Sequence, residues 1–146
     1  MKRHRDCWRP AYVGIGSNLD DPESQVRNAF AALQRLPDSG FARCSPLYRA
    51  APMGPTDQPD FVNAAAGVLT RLDPHALMRE LQEIETAQGR QRDTKHWGPR
   101  VLDLDLLVMG SLVVDEPGLT IPHPGIAERN FVLLPLADIA PHLPVP

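Results

Sequence analysis

The stretch VLDLDLLVM, residues 101–109, is the most strand-like segment of this 146-residue chain. Two aspartates, Asp103 and Asp105, alternate with leucines in it. Because side chains two residues apart in a strand point to the same side, the two carboxylates lie next to each other, roughly 7 Å apart at the backbone, and the leucines point the other way. The alternation predicts a sheet with one face in the hydrophobic core and a carboxylate pair on the other face.

The segments upstream supply three further predicted strands, at residues 11–15, 41–50 and 61–71. The first strand ends in a turn at residues 16–18. A loop at residues 52–59, which begins and ends with proline, joins the other two strands. Together with the aspartate-bearing segment, these strands are expected to form one sheet.

Two helices are predicted to begin at Asp21 and Asp73, because each is an N-cap aspartate followed by proline at the first helical position. Gly89 is a natural stop for the second helix. The resulting order β-α-β-β-α-β predicts an α+β fold, with a ferredoxin-like core in a three-layer α-β-α sandwich on an antiparallel-rich sheet. The apolar residues that recur at helical spacing are Val26, Phe30, Leu33 and Leu36 in the first helix, and Leu77, Leu81 and Ile84 in the second.

Length and composition predict one domain over residues 1–146, with residues 1–8 as a flexible tail. Residues 110–146 are expected to wrap the sheet as a short hairpin, helical turns and loops. Two cysteines are too few for a disulfide framework, so we expect a cytoplasmic protein. The sequence contains no apolar run long enough to cross a membrane, and a net charge of -3 argues against a dedicated nucleic-acid binder.

A basic segment precedes the carboxylate pair. Residues 90–100 carry four cationic side chains and one carboxylate on a chain that is acidic overall. Such a segment suits a compact polyanion, for example the phosphate chain of a nucleotide, and the alternative is a solvated charged loop. The four cations are Arg90, Arg92, Lys95 and Arg100.

The carboxylate pair predicts a metal site. Two carboxylates on a buried strand are costly unless positive charge compensates them. Paired hard oxygen ligands, with few other protein ligands nearby, suit Mg²⁺ that is also held by substrate phosphates. The alternative is an exposed strand face with solvated aspartates.

Several other side chains can line a site, although each is also compatible with a core or a solvated position. Gln82 and Glu85 lie three apart on the second helix, away from its apolar stripe, and are expected to share a polar face. Phe61 and Asn63 share one face of a strand, so a ring and a carboxamide can line one pocket. Further candidates are Trp97, His123, Arg129 and Phe131.

The sequence lacks the usual phosphate-binding loop. GIGSN, at residues 14–18, has neither the lysine nor the glycine spacing of a Walker motif. No Ser-His-Asp or Cys-His set is evident, so covalent catalysis is not indicated. If ATP binds, arginines and a metal must hold its phosphates.

Four motifs together resemble one family in their order and spacing. They are GIGSNL at residues 14–19, SPLYRAAPMGPTDQPDFVNAA at 45–65, the run GRQR…WGPRVLDLD at 89–105, and IPH…RNF at 121–131. The similarity spans roughly residues 11–141 and is to the 6-hydroxymethyl-7,8-dihydropterin pyrophosphokinase family of folate biosynthesis. The resemblance implies transfer of pyrophosphate from ATP to the hydroxymethyl group of the dihydropterin, with release of AMP.

The resemblance also implies roles for individual residues. Asp103 and Asp105 match the ligands of two Mg²⁺ ions that bridge the phosphates of ATP, and Arg90 and Arg100 match catalytic phosphate clamps. The residues implied in ATP binding are Gln82, Glu85, Arg92, Trp97, Leu106, Thr120, His123 and Arg129. The residues implied in pterin binding are Gly16, Ala50, Met53, Phe61, Asn63 and Phe131.

We therefore expect a magnesium-dependent monomeric enzyme with two small-molecule substrates, ATP and 6-hydroxymethyl-7,8-dihydropterin, and with neither a nucleic-acid nor a membrane partner. Departures from the family pattern at Asp93, His96 and Pro124 concern the basic loop and the nucleotide rim. Two other functions are compatible with the residues. One is a metal-dependent nucleotidyltransferase or nuclease, because paired aspartates serve those reactions too. The other is a non-catalytic ferredoxin-like sensor module.

Overall fold

The computed structural model describes residues 8–50, 60–89, 101–124, 126, 135–137 and 139. Residues 1–7 of the expected tail and the expected loop at 52–59 lie outside this part of the chain. No helix within the described ranges is long and apolar enough to cross a membrane. In chain order the elements are β1 (Arg9–Ser17), α1 (Pro22–Leu33), β2 (Ser39–Cys44), β3 (Tyr48–Ala50), β4 (Phe61–Thr70), α2 (Pro74–Ala87), β5 (Asp103–Met109), β6 (Val114–Glu116) and β7 (Leu119–Ile121).

The main sheet has the strand order β2-β4-β1-β5, with the short β3 also paired to β4. Each of these neighbouring pairs is antiparallel. β6 and β7 form a separate hairpin, as expected for the segment that follows residue 110. An antiparallel sheet combined with helices confirms the predicted α+β class, and β1 lies at its centre between β4 and β5.

One face of the sheet is covered by both helices. Leu104 and Leu106, which alternate with the two aspartates of β5, are 5% and 2% exposed and belong to the core cluster on this face. The prediction that these leucines fill the core is therefore confirmed. The helices contribute to the same cluster through their apolar stripes, whose fully buried members are Val26, Ala29, Leu33, Leu77 and Leu81.

The opposite face carries a second, smaller hydrophobic cluster, in which Ile126, Leu136 and Ile139 pack against the sheet. Leu107 and Val108 are consecutive residues of β5, yet both belong to this cluster. The cause is a bulge, because β5 has one extra residue where its pairing with β1 shifts register. We call this face, opposite α1 and α2, the site face.

The two Asp-Pro helix starts differ from each other. Asp73 is an N-cap whose carboxylate accepts a 2.8 Å hydrogen bond from Ala76 N, as predicted. Asp21 has a left-handed φ of 62° and makes no side-chain cap hydrogen bond; its Oδ2 accepts from Ser24 Oγ instead. The helix begins after Asp21 as predicted, but the aspartate side chain does not cap it, because a capping side chain reaches the helix from an extended backbone. Gly89, with a φ of 101°, follows α2 as predicted.

The predicted strand at residues 41–50 is two strands, β2 and β3, in the structure. Pro46 lies between them and has no N–H to donate to a ladder. The preceding Ser45 is buried and forms two hydrogen bonds of 2.9 Å with Ala65 of β4. Ser45 N donates to Ala65 O, and Ala65 N donates to the side-chain oxygen Ser45 Oγ. After this break, β3 pairs with the first residues of β4.

Candidate active site

The polar residues of the site face lie in a row across β4, β1 and β5. Gly16 of β1 is paired with Asn63 of β4 on one side and with Asp103 of β5 on the other. Asp105 is paired with Gly14 in the same way. Directly paired residues in a sheet present their side chains on the same face. The register therefore brings together an amide and two carboxylates that are far apart in the sequence.

Asn63 is a buried polar residue of this row. It is 5% exposed, and its Nδ2 atom has no hydrogen-bond partner among the residues that the structure describes. Burying an unsatisfied donor costs about 1–3 kcal/mol, so such a group needs an explanation, and a ligand is a direct one. The ring of Phe61 is close by, since its Cδ1 lies 3.7 Å from where a Cβ at Gly16 would be. A ring and a carboxamide thus lie side by side, as their spacing on the strand predicts.

The carboxylate pair is half-buried, and a histidine lies next to it. Asp105 Oδ1 is 3.9 Å from His123 Nε2, an ion-pair distance when the imidazole is protonated. His123 is held in place by its backbone N–H, which donates to Leu107 O at 2.8 Å. Within the described ranges, His, Cys, Asp and Glu form no cluster of three or more that could hold a metal. The acidic donor set at this point of the site face is the pair of Asp103 and Asp105.

Helix α2 differs from the sequence prediction at one position. Gln82 is exposed, as expected, but Glu85 is buried at 7% exposure. Glu85 Oε2 accepts a 2.7 Å hydrogen bond from Leu104 N in β5. The predicted polar face shared by these two residues is therefore wrong for Glu85. Because α2 packs against β5, the side chain of Glu85 is buried in the contact between the two elements. The hydrogen bond from Leu104 N offsets the cost of burying its carboxyl group.

Two residues implied in nucleotide binding lie in β5 or in the hairpin next to it. The side chain of Leu106 belongs to the core cluster, so a contact between this residue and a nucleotide would have to use its backbone. Thr120 is exposed in β7, where it is paired with Asp115 of β6. Since β7 contacts β5, Thr120 lies near the carboxylate-bearing strand.

The remaining residues of the predicted site are only partly covered by the structure. Ala50 lies in β3, where it is paired with Phe61. The pairing places the backbone of Ala50 next to Phe61, two residues before Asn63 in β4. The predicted residues outside the described part of the chain are Met53, Arg90, Arg92, Trp97, Arg100, Arg129 and Phe131.

A cleft of roughly 560 Å³ lies between α1 and α2. Its charged lining residues are Arg35, which follows α1, and Glu80 and Glu83 of α2. Both helices cover the face of the sheet opposite the site face, so the sheet separates this cleft from the carboxylate pair. The cleft is not part of the candidate active site.

Gly14 is a site-face residue that the sequence analysis missed. The two glycines of β1 are two residues apart, as are the two aspartates of β5, and the register places Gly14 opposite Asp105 and Gly16 opposite Asp103. Because glycine has no side chain, β1 adds no side-chain bulk of its own between Asn63 and the carboxylates. The matched spacing of the two motifs is compatible with this register but does not specify it, so the sequence alone does not identify Gly14.

A methyl group at Gly16 is expected to disturb Asn63. The added Cβ would lie 3.0 Å from Asn63 Oδ1, closer than ordinary contact, and the buried carboxamide has little room to move. Gly16→Ala should therefore shift the side-chain amide signals of Asn63 in nitrogen–proton correlation spectra. It should also lower the free energy of unfolding by about 1 kcal/mol, as overpacking does.

Gly40→Ala is the matched control, because nothing lies within 4 Å of the Cβ that it would add. This variant should leave the Asn63 signals where they are. Unchanged Asn63 signals in Gly16→Ala would contradict the close approach described above.

Comparison with known proteins identifies the family of this chain. A family model described as 7,8-dihydro-6-hydroxymethylpterin-pyrophosphokinase matches residues 12–141. A Pseudomonas aeruginosa protein named 2-amino-4-hydroxy-6-hydroxymethyldihydropteridine pyrophosphokinase is 50% identical over 135 residues, covering 92% of this chain and 83% of that protein. A Haemophilus influenzae protein of the same name is 44% identical over 136 residues, covering 93% and 84%. The folic acid synthesis protein fol1 of Schizosaccharomyces pombe is 40% identical over 133 residues, covering 91% of this chain and 18% of that longer protein. The chain belongs to the 7,8-dihydro-6-hydroxymethylpterin-pyrophosphokinase family.

Proposed function

We propose that this chain transfers pyrophosphate from ATP to the hydroxymethyl group of 6-hydroxymethyl-7,8-dihydropterin, with release of AMP, as a step of folate biosynthesis. Membership of the pyrophosphokinase family and the names of the relatives support this reaction. The structural observation that carries the proposal is Asn63. Its buried amide donor, which has no partner in the described structure, lies on the same face as the carboxylate pair of Asp103 and Asp105.

A pterin suits the Asn63 end of the site face. Its fused ring is flat and has polar edges, so it needs an aromatic surface for a ring face and hydrogen-bond partners for an edge. Phe61 offers a ring, and Asn63 Nδ2 offers a donor in a position sheltered from water. We include Gly16, Ala50, Met53 and Phe131 as the other residues of the pterin pocket.

The carboxylate pair would hold Mg²⁺. Asp103 and Asp105 present hard, anionic oxygens from one strand face, and the residues paired with them in β1 are glycines, which add no side chains beside them. This donor set fits the two ions that the resemblance implies. The triphosphate of ATP would supply further ligands to these ions. When bound, Mg²⁺ neutralises phosphate charge and orients the triphosphate.

The chain's own cations would hold the rest of the nucleotide. His123, beside Asp105, can donate to a phosphate oxygen when it is protonated. Arg90 and Arg100 would act as catalytic clamps that stabilise negative charge on the phosphates during transfer. The further residues that we include as nucleotide contacts are Gln82, Arg92, Trp97, Leu106, Thr120 and Arg129.

The distance across β1 supports a mechanism that depends on positioning. Asn63 and Asp103 lie on the two strands that flank β1, two strand spacings or roughly 10 Å apart. An acceptor held at Asn63 can extend its hydroxymethyl group over Gly16 toward phosphates held near the carboxylates. The hydroxymethyl oxygen then forms a bond to the β-phosphorus and its proton passes to solvent, the bond from that phosphorus to the oxygen shared with the α-phosphate breaks, and AMP leaves. Alignment of the two reactants removes much of the entropic barrier.

The proposal includes the ferredoxin-like, three-layer form of the fold. The units β1-α1-β2 and β4-α2-β5 each connect two strands that have one antiparallel strand between them, which is the split arrangement of that fold. We also propose that the chain is a monomer, acts on small molecules and is located in the cytoplasm. The net charge of -3 favours small-molecule substrates over nucleic acid, and the content of two cysteines favours the cytoplasm.

The products of the reaction test the proposal directly. After incubation with ATP, Mg²⁺ and the pterin alcohol, chromatography should show AMP appearing in step with a pterin that carries two phosphates. Stoichiometric ADP would indicate transfer of a single phosphoryl group. Free pyrophosphate, with AMP attached to the acceptor, would indicate a nucleotidyltransferase. Either result would overturn the proposal.

Removal of one charge from the carboxylate pair should abolish most of the activity. Asp103→Asn and Asp105→Asn keep the shape of the side chain, and each should lower kcat at least roughly a hundredfold. The free energy of unfolding measured without metal should not fall, because two adjacent carboxylates repel each other in that state.

Asp38→Asn is the control for charge removal. Asp38 is exposed and has a left-handed φ of 51°, a conformation that asparagine also tolerates. It precedes β2 at the end of the sheet that is remote from Gly16, so kcat should stay unchanged. Near-normal kcat in either site variant at saturating Mg²⁺ would refute the assignment of this pair.

Loss of the Asn63 carboxamide should weaken pterin binding selectively. Asn63→Ala removes a buried partner of the ring, which is worth roughly 1–3 kcal/mol, or about 5- to 150-fold in Kd. Calorimetry should show no comparable change in the Kd of ATP. Asn28→Ala deletes the same group from an exposed position of α1 and should change neither constant. An equal loss of ATP and pterin affinity in Asn63→Ala would contradict the placement of the pterin.

A further inference from the structure

Glu85 is a buried carboxylate at the contact between α2 and the edge strand β5. Its Oε2 accepts a buried hydrogen bond of 2.7 Å from Leu104 N. Among the strands that the structure describes, β5 comes last in the order of the main sheet and pairs with β1 alone. Because Leu104 N donates to Glu85, this N–H points to the side of β5 away from β1. A buried backbone N–H at this edge needs a partner, and α2 supplies one.

Leu104 is the residue between the two aspartates of the proposed metal site. Its N–H and the carbonyl of Asp103 belong to one planar peptide unit, so a bond to this N–H fixes the orientation of the backbone next to Asp103. On the other edge of β5, pairing of Asp103 with Gly16 and of Asp105 with Gly14 holds the same segment. The backbone that carries both carboxylates is thus held from two sides.

We propose that Glu85 is a positioning residue for the carboxylate pair. By holding Leu104 N, it sets the relative placement of Asp103 and Asp105, and thereby the affinity of the pair for a divalent cation. The inference rests on the proposed function for the identity of the cation. It differs from the nucleotide contact that the family resemblance implies for Glu85.

The burial of Glu85 favours this role over contact with a nucleotide. Its side chain is turned into the contact between α2 and β5, with the Oε2 atom on a backbone N–H. Gln82, almost one helical turn earlier, is exposed and is the better placed of the two for a ligand that arrives from solvent.

The expected size of the effect follows from the demands of the cation. Mg²⁺ requires nearly ideal octahedral geometry, so a small displacement of either carboxylate weakens its binding. Groups that orient metal ligands without touching the metal commonly contribute about 10- to 100-fold to metal affinity. Loss of the bond between Glu85 and Leu104 should therefore weaken binding of a divalent cation by about tenfold or more.

Two substitutions separate the reach of the side chain from its charge. Glu85→Asp keeps the charge but is one methylene shorter, so it withdraws the acceptor from Leu104 N. Glu85→Gln loses the charge but keeps the length and one acceptor oxygen. Glu83→Asp is the matched control, since it makes the same shortening at an exposed position of α2.

The first measurement is the Kd of Mn²⁺, determined by electron paramagnetic resonance in the presence of a non-hydrolysable ATP analogue. The second is the hydrogen-exchange rate of the Leu104 amide. Glu85→Asp should raise the Mn²⁺ Kd about tenfold or more and should speed exchange at Leu104. Glu85→Gln and Glu83→Asp should stay close to the unaltered chain in both measurements. The amides of Leu77 and Leu81 in the buried face of α2 should keep their protection in every variant.

Three results would overturn the proposal. The first is an unchanged Mn²⁺ Kd in Glu85→Asp. The second is a loss of Mn²⁺ affinity in Glu85→Gln that is as large as in Glu85→Asp, with an unchanged exchange rate at the Leu104 amide. That pattern would indicate a direct contact between the charge of Glu85 and the nucleotide or the metal. The third is a loss of amide protection at Leu77 and Leu81 that accompanies the loss of Mn²⁺ affinity. Glu85 would then act only by stabilising the fold. The proposed function fails separately, through the identity of the reaction products, and ADP as a product would leave the Mn²⁺ result intact.

Discussion

Strand β1 is held between β4 and β5 by two antiparallel ladders of backbone hydrogen bonds, and their register decides which side chains meet. Gly16 stands between Asn63 and Asp103 because of this register. Since strand side chains alternate with a period of two, a slip of one residue would turn the carboxylates into the core and the leucines of β5 onto the site face. The hydrophobic core excludes that arrangement. The same register therefore specifies both the core and the site.

The two faces of the sheet meet opposite requirements. On the helix-covered face, each fully buried leucine such as Leu106 contributes about 1.5–3 kcal/mol, and this burial holds the register. On the site face, Gly14 and Gly16 add no side chains, and Asn63 keeps a buried donor that no described residue satisfies. Apolar burial on one face thus offsets the cost of the polar groups on the other. Glu85 connects the two faces, because a helix on the core side bonds to the strand that carries the carboxylates.

Features that depend on local periodicity could be predicted from the sequence. The alternation in residues 101–109 was sufficient to separate Asp103 from the core, and Asp73 is the N-cap that its Asp-Pro pair indicates. Features that depend on a neighbouring element could not be predicted. Glu85 lies four residues after Leu81 and eight after Leu77, which is the spacing of the buried stripe of α2. Its charge favours the polar face instead, and no pattern in α2 shows that β5 presents an N–H to it. Likewise, the role of Gly14 depends on a register that periodicity does not contain.

The central claim is that the acceptor and the metal-bound phosphates lie on the two sides of β1 and meet above its glycines. Paramagnetic relaxation tests this claim, with Mn²⁺ and a non-hydrolysable ATP analogue bound and carbon-labelled dihydropterin in the pocket. The effect of Mn²⁺ falls steeply with distance. The account predicts the strongest relaxation at the hydroxymethyl carbon and weaker relaxation at the ring edge that contacts Asn63. It predicts still weaker relaxation at the Asn63 side-chain amide, roughly 10 Å from the carboxylate-bearing strand position. Stronger relaxation at the ring edge than at the hydroxymethyl carbon, or no relaxation of the pterin at all, would contradict it.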